Sequence, residues 1–587
     1  MTDTPTALPA LLTRAAATGK KIICHRADGS PAARTYGDLL ADARRVLGGL
    51  RGAGAVPGDP VVLQLEDNHD FLAAFWACQL GGLVAVPLAV PATGDGIAAA
   101  RLRNVWELCG GPLVVGAADD VPAHPIGALR SHPPAESGPD PRPDDVFVIL
   151  FTSGSTGTPK GVMLTHRNAL AMIRRYTSLE GLTTGEVSFN WMPLDHVAGL
   201  LAFHVRDVYL GCAQVHAHPR TVLGSPLSWL DWLDHYRATV TWAPNFAYGM
   251  VNEALAAADG GHGWDLSPLR HILNAGEPIV PRTARRFLTL LAPYGLRPTA
   301  IRPSWGMSET SGGLTFSDRF SLETTSDDDR FTDVGPPIAD AGIRVTRAGR
   351  VQVKGPTVTP GYYRNPALDS AAFTVDGWFD TGDLGTLAEG RLTITGRNKD
   401  VIIVNGVNHY AQEIEAVVEE VPGVEAACTA AVAVPAGDTE ALAIFYCSRL
   451  TGEAELADQW DRIRRRVTAA SGVNPAHLLR VTRADIPRTE TGKIQREVLR
   501  RRLADGSYTA AETTRDEIER KLTVIWQRAL GIERVGRHED FYDLGGDSLS
   551  SMQIVALARD AGLAVTQIHF AESRTIAELA AALEERR

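Results

Sequence analysis

The sequence predicts three parts: a large α/β unit over residues 1–396, a smaller α+β unit over 397–505 and, after a linker at 506–515, an all-α four-helix module over 516–587. Three observations carry this. From Asp59 onward, short β-rich runs alternate with helix-like stretches, which is the rhythm of layered α/β folds. Near Gly396 the strand RLTITG closes that pattern and a smaller one begins. Beyond the polar stretch 505–515 the periodicity is purely helical.

Taken in order, VVLQL and LVAVPL read as strands around the helix HDFLAAFWACQLGG, and such alternation favours parallel pairing. Residues 132–144 hold five prolines and little apolar content, so they read as an exposed connection before the apolar strand that starts at Val146. In the second part, VIIVNG, AQEIEAVVEEV and CTAAVAV give strand, helix and strand, and a basic helix REVLRRRL ends it. The last module reads as amphipathic helices, two of them near 516–530 and 549–561, and its 13 acidic against 9 basic residues leave it acidic.

With 587 residues, 44% hydrophobic and 22% charged, the composition excludes collagen-like, low-complexity and wholly disordered chains. A net charge of −11 gives no global reason to expect nucleic acid as partner, so any phosphate site must be local. The six cysteines show no CxxC pair, which argues against a zinc ribbon or disulfide framework and fits a reducing compartment. There is no leader-like N-terminus and no apolar run of membrane length, so a cytoplasmic protein without membrane partners is expected.

The first chemical signal is Phe151-Thr152-Ser153-Gly154-Ser155-Thr156-Gly157-Thr158-Pro159-Lys160-Gly161, directly after the Val146 strand. Glycines let the backbone approach an anion, hydroxyls donate to it, and the lysine adds a point charge. It is not a Walker A loop, because glycine follows the lysine. A generic Gly/Ser turn is the bland alternative.

At these residues the chain resembles the adenylate-forming enzymes, which include acyl-CoA synthetases and peptide-synthetase adenylation domains. The resemblance continues in order through Asn274-Ala275-Gly276-Glu277-Pro278, Trp305-Gly306-Met307-Ser308-Glu309, Gly377-Trp378-Phe379-Asp380-Thr381-Gly382-Asp383, Gly396-Arg397 and Pro487-Arg488-Thr489-Glu490-Thr491-Gly492-Lys493, and covers roughly residues 10–505. It implies ATP-dependent activation of a small carboxylic acid as acyl-AMP in an adenylation domain with a mobile C-terminal subdomain. Its implied ATP-binding set is Thr152, Ser153, Gly154, Ser155, Thr156, Gly157, Lys160, Gly276, Glu277, Trp305, Gly306, Ser308, Asp383 and Arg397. Glu309 would hold Mg²⁺, Trp305 would cover adenine, and Asp383 and Arg397 would serve the ribose. Lys493 is the implied catalytic lysine, and the hinge falls on Lys399, with Asp400 next to it.

The stretch Asn190-Trp191-Met192-Pro193-Leu194-Asp195-His196-Val197-Ala198-Gly199, with Ala243-Pro244-Asn245-Phe246-Ala247-Tyr248, looks like fatty acyl-AMP ligases and polyketide loading domains. It lacks the phenylalanine-aspartate pair with which amino-acid-activating relatives bind the substrate ammonium. Asp195, His196, Asn245 and Phe246 are the candidate pocket residues, and an acid without an α-amino group is favoured. Asp195 keeps an amino or hydroxy substituent open. Only 25 residues separate Glu309 from Gly335, so the insertion of fatty acyl-AMP ligases is short or absent and the resemblance implies no rejection of coenzyme A.

Asp540-Phe541-Tyr542-Asp543-Leu544-Gly545-Gly546-Asp547-Ser548-Leu549 resembles an acyl or peptidyl carrier protein. Ser548, at a helix start after two glycines, is expected to carry 4'-phosphopantetheine; an N-cap serine is the bland alternative. The resemblance implies thioester loading of the chain's own carrier, as a loading didomain of polyketide or nonribosomal peptide biosynthesis. Its partners would be a phosphopantetheinyl transferase and a downstream synthase or tailoring enzyme acting in trans. An acyl-CoA ligase with an accessory carrier, or an amino-acid-activating didomain, remains the alternative.

Overall fold

A computed structural model describes residues 5–584 apart from 27–28, 91–95, 119–120, 139–140, 153–159, 259, 405–406, 437–438, 489–493, 506–512, 531, 533–534, 538, 546–547, 562, 564, 567–568 and 570–572. It divides into two compact units, 1–476 with 481–497, and 477–480 with 498–587.

In the first unit the predicted alternation becomes parallel sheet. Pro60–Gln64 lies between Val84–Pro87 and Leu113–Gly116, parallel to both. The helix Asn68–Gly81 that crosses between the first two is buried almost all round, which is why HDFLAAFWACQLGG is apolar without a polar stripe. Asp67 caps its start by accepting the Asp70 N–H, and Gly82 ends it at φ +68°. Val146–Thr152 joins the same sheet through Val84–Pro87 and then turns back antiparallel as Lys160–Thr165. The element after residues 153–159 is thus an antiparallel strand, where a Walker A loop would be followed by a helix.

A second sheet runs, among the described residues, in the order Gly312–Phe316, Ile301–Met307, His271–Asn274, Val240–Ala243, Val187–Asn190, Ala213–His216, Lys21–His25 and Pro31–Thr35. Its middle is parallel and its two outer pairs are antiparallel. A buried polar chain runs beneath it. Trp76 donates to His204 Nε2 (2.8 Å), His204 Nδ1 meets Gln214 Oε1 (2.9 Å), and Gln214 Oε1 also faces His216 Nε2 (2.8 Å). Asn190 then links His216 to the Trp242 indole N–H. Burial pushes the His204 imidazole down to about 4 and His216 well below the usual range, so both are neutral at pH 7.

A third, antiparallel sheet contains Arg350–Lys354, Phe379–Ala388 and Arg391–Arg397. The smaller subdomain follows the turn Asn398–Asp400, with the hairpin Val401–Val404 and Val407–Tyr410, the helix Ala411–Glu419 and the long hairpin Val424–Ala436 and Thr439–Ser448. Against the expectation drawn from cysteine spacing, that long hairpin joins Cys428 to Cys447 by a disulfide, because its register sets the two residues opposite each other; Cys24, Cys78, Cys109 and Cys212 are free and buried.

In the second unit the described helices are Arg496–Ala504, which begins at the boundary, then Thr513–Leu530, Ser548–Asp560 and Ile576–Glu584. Leu522, Trp526, Phe541, Ile554, Ile576 and Leu579 form its core, with Trp526 edge-on to Phe541 at 5.1 Å. No described helix is long and apolar enough to cross a membrane.

Candidate active site

Strand ends of the first unit bring the sequence-predicted residues to one region. Thr152 and Lys160 pair across the hairpin on either side of residues 153–159, and Ser153, Gly154, Ser155, Thr156 and Gly157 lie outside the described residues. The Lys160 ammonium stands 6.0 Å over the Tyr362 ring.

The strand Ile301–Met307 carries Trp305 and Gly306 toward the same region. A Cβ on Gly306 would sit 1.8 Å from the Gly312 carbonyl oxygen, so only glycine fits where this strand meets its partner. The 3₁₀ turn Ser308–Thr310 follows, held by the Met307 N–H donating to Thr310 Oγ1, and presents Glu309 half-buried at its middle. Tyr362 donates its hydroxyl to Glu309 Oε1 at 2.9 Å.

Asp383 is the best-anchored acid of the set. It is 3% exposed, and Trp305, itself 8% exposed, donates its indole N–H to Oδ2 at 2.8 Å. Arg397 stands beside Oδ1 at 2.9 Å, but no described donor is aligned on that oxygen, which keeps lone-pair capacity for a ligand hydroxyl. The Asp383 charge in turn raises the Arg397 guanidinium further above its usual range. Asp383 and Arg397 are direct partners on adjacent strands, as a pair serving one sugar would require.

Glu277 and the pocket candidates meet on the other side. Phe246, the second residue of the helix Asn245–Ala257, donates its backbone N–H to Glu277 Oε1 at 2.5 Å. Asn245 Oδ1 accepts from Val280 N–H and faces Asn274 Nδ2, so both residues stitch this helix start to the Asn274–Val280 turn. Gly276, at φ +88°, opens toward the Trp242 ring. His196 stacks on Trp242 with centroids 6.4 Å apart, and Phe203 stacks on it at 5.9 Å. His196 Nδ1 accepts the Ala198 N–H, which puts the neutral ring's proton on Nε2. Asp195 is half-buried beside it. Trp242, Phe203 and Tyr362 are contacts that sequence reasoning passed over. Trp242 directly precedes the Ala243–Tyr248 stretch and was within reach; nothing local marks Tyr362.

Lys493 lies outside the described residues, but its flanks do not. Arg488 pairs with Ile494, and Gln495 N–H donates to the Pro487 carbonyl, so the described residues on either side are joined by a short ladder. Arg496 is fixed to both oxygens of Glu415 at 2.7 and 2.8 Å. Burial lowers the Arg488 guanidinium, with Glu277 of the large domain acting against it. Lys399 sits in the Asn398–Asp400 turn at the junction of the two parts. Ser548 is the first residue of the helix Ser548–Asp560, shortly after Gly545 at φ +86°.

The AMP-binding enzyme family matches residues 11–363, and the phosphopantetheine attachment site matches 520–583. A nonribosomal peptide synthetase, apvA of Aspergillus terreus (strain NIH 2624 / FGSC A1156), is 29% identical over 94% of this chain and 65% of its own length. The chain thus spans about two thirds of that relative. Among solved structures, the McyG A-PCP complexed with phenylalanyl-adenylate is 33% identical with 99% of both chains covered, at a TM-score of 0.82. A keto acid-selecting NRPS module is 36% identical, covering 86% of this chain and 46% of its own, at 0.80. Fatty acyl-adenylate ligases from E. coli and L. pneumophila are 26% identical over 86% and 99%, at 0.76.

Proposed function

We propose, on the premise that this chain belongs to the AMP-binding enzyme family and carries a phosphopantetheine attachment domain behind it, that it activates an aryl or α-keto acid and loads it on its own carrier. The chain is an adenylate-forming ligase fused to a carrier, a carrier-loading didomain of the nonribosomal-peptide-synthetase-like type.

The observation that carries the substrate reading is the wall around Trp242. The rings that stack on Trp242, His196 and Phe203, and the Gly276 backbone that opens toward it offer a flat apolar surface without a carboxylate of their own. The nearby Glu277 carboxylate is engaged by the Phe246 N–H. An unpaired ammonium there is costly to desolvate, whereas a flat aryl or keto group stacks at no such cost. The keto acid-selecting neighbour agrees with this reading. Half-buried Asp195, with the phenylalanyl-adenylate neighbour, favours the second reading, an amino acid substrate.

In the first step the acid's oxygen attacks the α-phosphorus of ATP and pyrophosphate leaves. Thr152, Lys160 and the 153–157 backbone would hold the phosphates, Trp305 the adenine, and Asp383 and Arg397 the ribose. Lys493 would place its charge on the reacting oxygens. Glu309 fits Mg²⁺: one oxygen is held by Tyr362 and the other offers the hard ligand that this cation takes. Magnesium would neutralise phosphoryl charge there. In the second step the subdomain would turn about Lys399 and the acyl group would pass to the arm on Ser548, with AMP leaving. The arm would be installed by a phosphopantetheinyl transferase, and the loaded group consumed by a synthase or tailoring enzyme.

ATP–pyrophosphate exchange across keto, hydroxy, aryl, fatty and amino acids tests the substrate claim. Aryl or α-keto acids are expected to turn over fastest; proteinogenic amino acids ahead of all of them would make Asp195 the ammonium partner and overturn it.

A further inference from the structure

The backbone from Thr359 to Tyr363 touches both sides of the proposed triphosphate site. On one side, Thr359 N–H donates to the Glu309 carbonyl at 2.8 Å, and the Tyr362 hydroxyl donates to Glu309 Oε1 at 2.9 Å. On the other, Tyr363 N–H donates to the Gly161 carbonyl, Met163 N–H to the Gly361 carbonyl and Thr359 Oγ1 to the Met163 carbonyl, so the segment is laced to the strand that begins at Lys160. The segment is itself fixed. Tyr362 N–H donates to Asp369 Oδ1 at 2.7 Å, and Gly361, at φ +147°, lies so close that a Cβ there would stand 2.7 Å from the same oxygen.

We infer that Tyr362 is a positioning residue: it holds the Glu309 carboxylate at a set distance from Lys160, so that cation and lysine meet the same phosphates. This rests on the reading of Glu309 as the magnesium ligand. The glutamate side chain has several rotatable bonds, and a free one spends most of its time aimed elsewhere. A phenol that is 5% exposed and reaches one carboxylate oxygen removes that freedom and leaves the second oxygen for the cation. The aromatic ring serves Lys160 and the hydroxyl serves Glu309, so the two contributions separate by mutation.

Tyr362→Phe keeps the ring and removes the hydroxyl. Mn²⁺ binding in the presence of a non-hydrolysable ATP analogue, read by electron paramagnetic resonance on the full chain, is expected to weaken about tenfold. The Mg²⁺ midpoint of ATP–pyrophosphate exchange should rise in parallel, with the melting temperature unchanged. Asp369→Ala, which loosens the Tyr362 backbone from outside the site, should move the Mn²⁺ affinity the same way by about twofold, and it decides the matter if Tyr362→Phe folds poorly. Glu309→Gln is the control. If it weakens Mn²⁺ binding while Tyr362→Phe binds like wild type, the positioning role is overturned and the ligand reading survives. If Glu309→Gln also binds like wild type, the ligand reading falls and this inference with it.

Discussion

In the large domain, Asp383 is held from two directions, by Trp305 at a sequence separation of 78 and by Arg397 on the neighbouring strand. In the carrier, Ser548 opens the helix Ser548–Asp560, shortly after Gly545 at φ +86°. The difference follows from what each must do. Stabilising charge at a reacting phosphorus demands groups fixed before the reaction, which strands anchored in a large core supply. Delivering a tethered acyl group demands an accessible attachment point on a small module whose own core is independent of the reaction. Damage to the two regions should therefore be separable.

The sharpest break is Ser548→Ala. Acyl loading on the carrier should vanish entirely, and incubation with a phosphopantetheinyl transferase should add no mass, while ATP–pyrophosphate exchange stays near wild type. A loss of exchange in this variant would mean that the two regions are not separable. Next in size, Lys493→Ala should slow acyl-AMP formation on the order of 10²-fold with ATP binding intact, because one charge aimed at the transition state is worth a few kcal/mol. Transfer from supplied acyl-AMP should suffer far less; equal losses in both half-reactions would count against a lysine that acts in only one of them.

Asp383→Ala is milder. It removes the acceptor of the Trp305 indole and the partner of Arg397, so the KM for ATP should rise about tenfold, as expected for a charge-assisted hydrogen bond worth about 1.5–3 kcal/mol, while the carrier remains a substrate for its transferase. An unchanged KM would remove Asp383 from the nucleotide site. The smallest effect is on stability. His204 is neutral in the fold with its pKa depressed to about 4, below the unfolded value near 6.5, so the unfolded state binds the extra proton and stability falls as pH drops through 6.5 toward 4. Calorimetry at pH 7 and 5 should show the large-domain transition moving down by a few degrees, with the carrier transition moving less. A pH-independent large-domain transition would contradict the neutral buried histidine.

How much of this was legible in the sequence differs by region for the same reason. The phosphate loop, the Trp305–Glu309 stretch, Asp383, Arg397 and the carrier stretch stood out because their strings follow one another in the order of the adenylate-forming enzymes, and the alternation from Asp59 pointed to the parallel sheet because each strand there is short and buried. Contacts assembled by topology were not legible. Tyr362 reaches Glu309 only because the Thr359–Tyr363 segment pairs with the strand after the phosphate loop, and Trp242 meets Gly276 only because its strand lies next to His271–Asn274. The Cys428–Cys447 pair depends likewise on the register of one hairpin.

The central claim is that one chain activates an acid without an α-amino group and loads it on its own Ser548. Intact-protein mass spectrometry of the phosphopantetheinylated chain, incubated with ATP, Mg²⁺ and an equimolar mixture of aryl, α-keto, hydroxy, fatty and amino acids, tests it directly. The account predicts a single added acyl mass belonging to an aryl or α-keto acid, absent from Ser548→Ala. An amino-acyl mass in its place, or no acyl mass on a chain that still forms acyl-AMP, would contradict it.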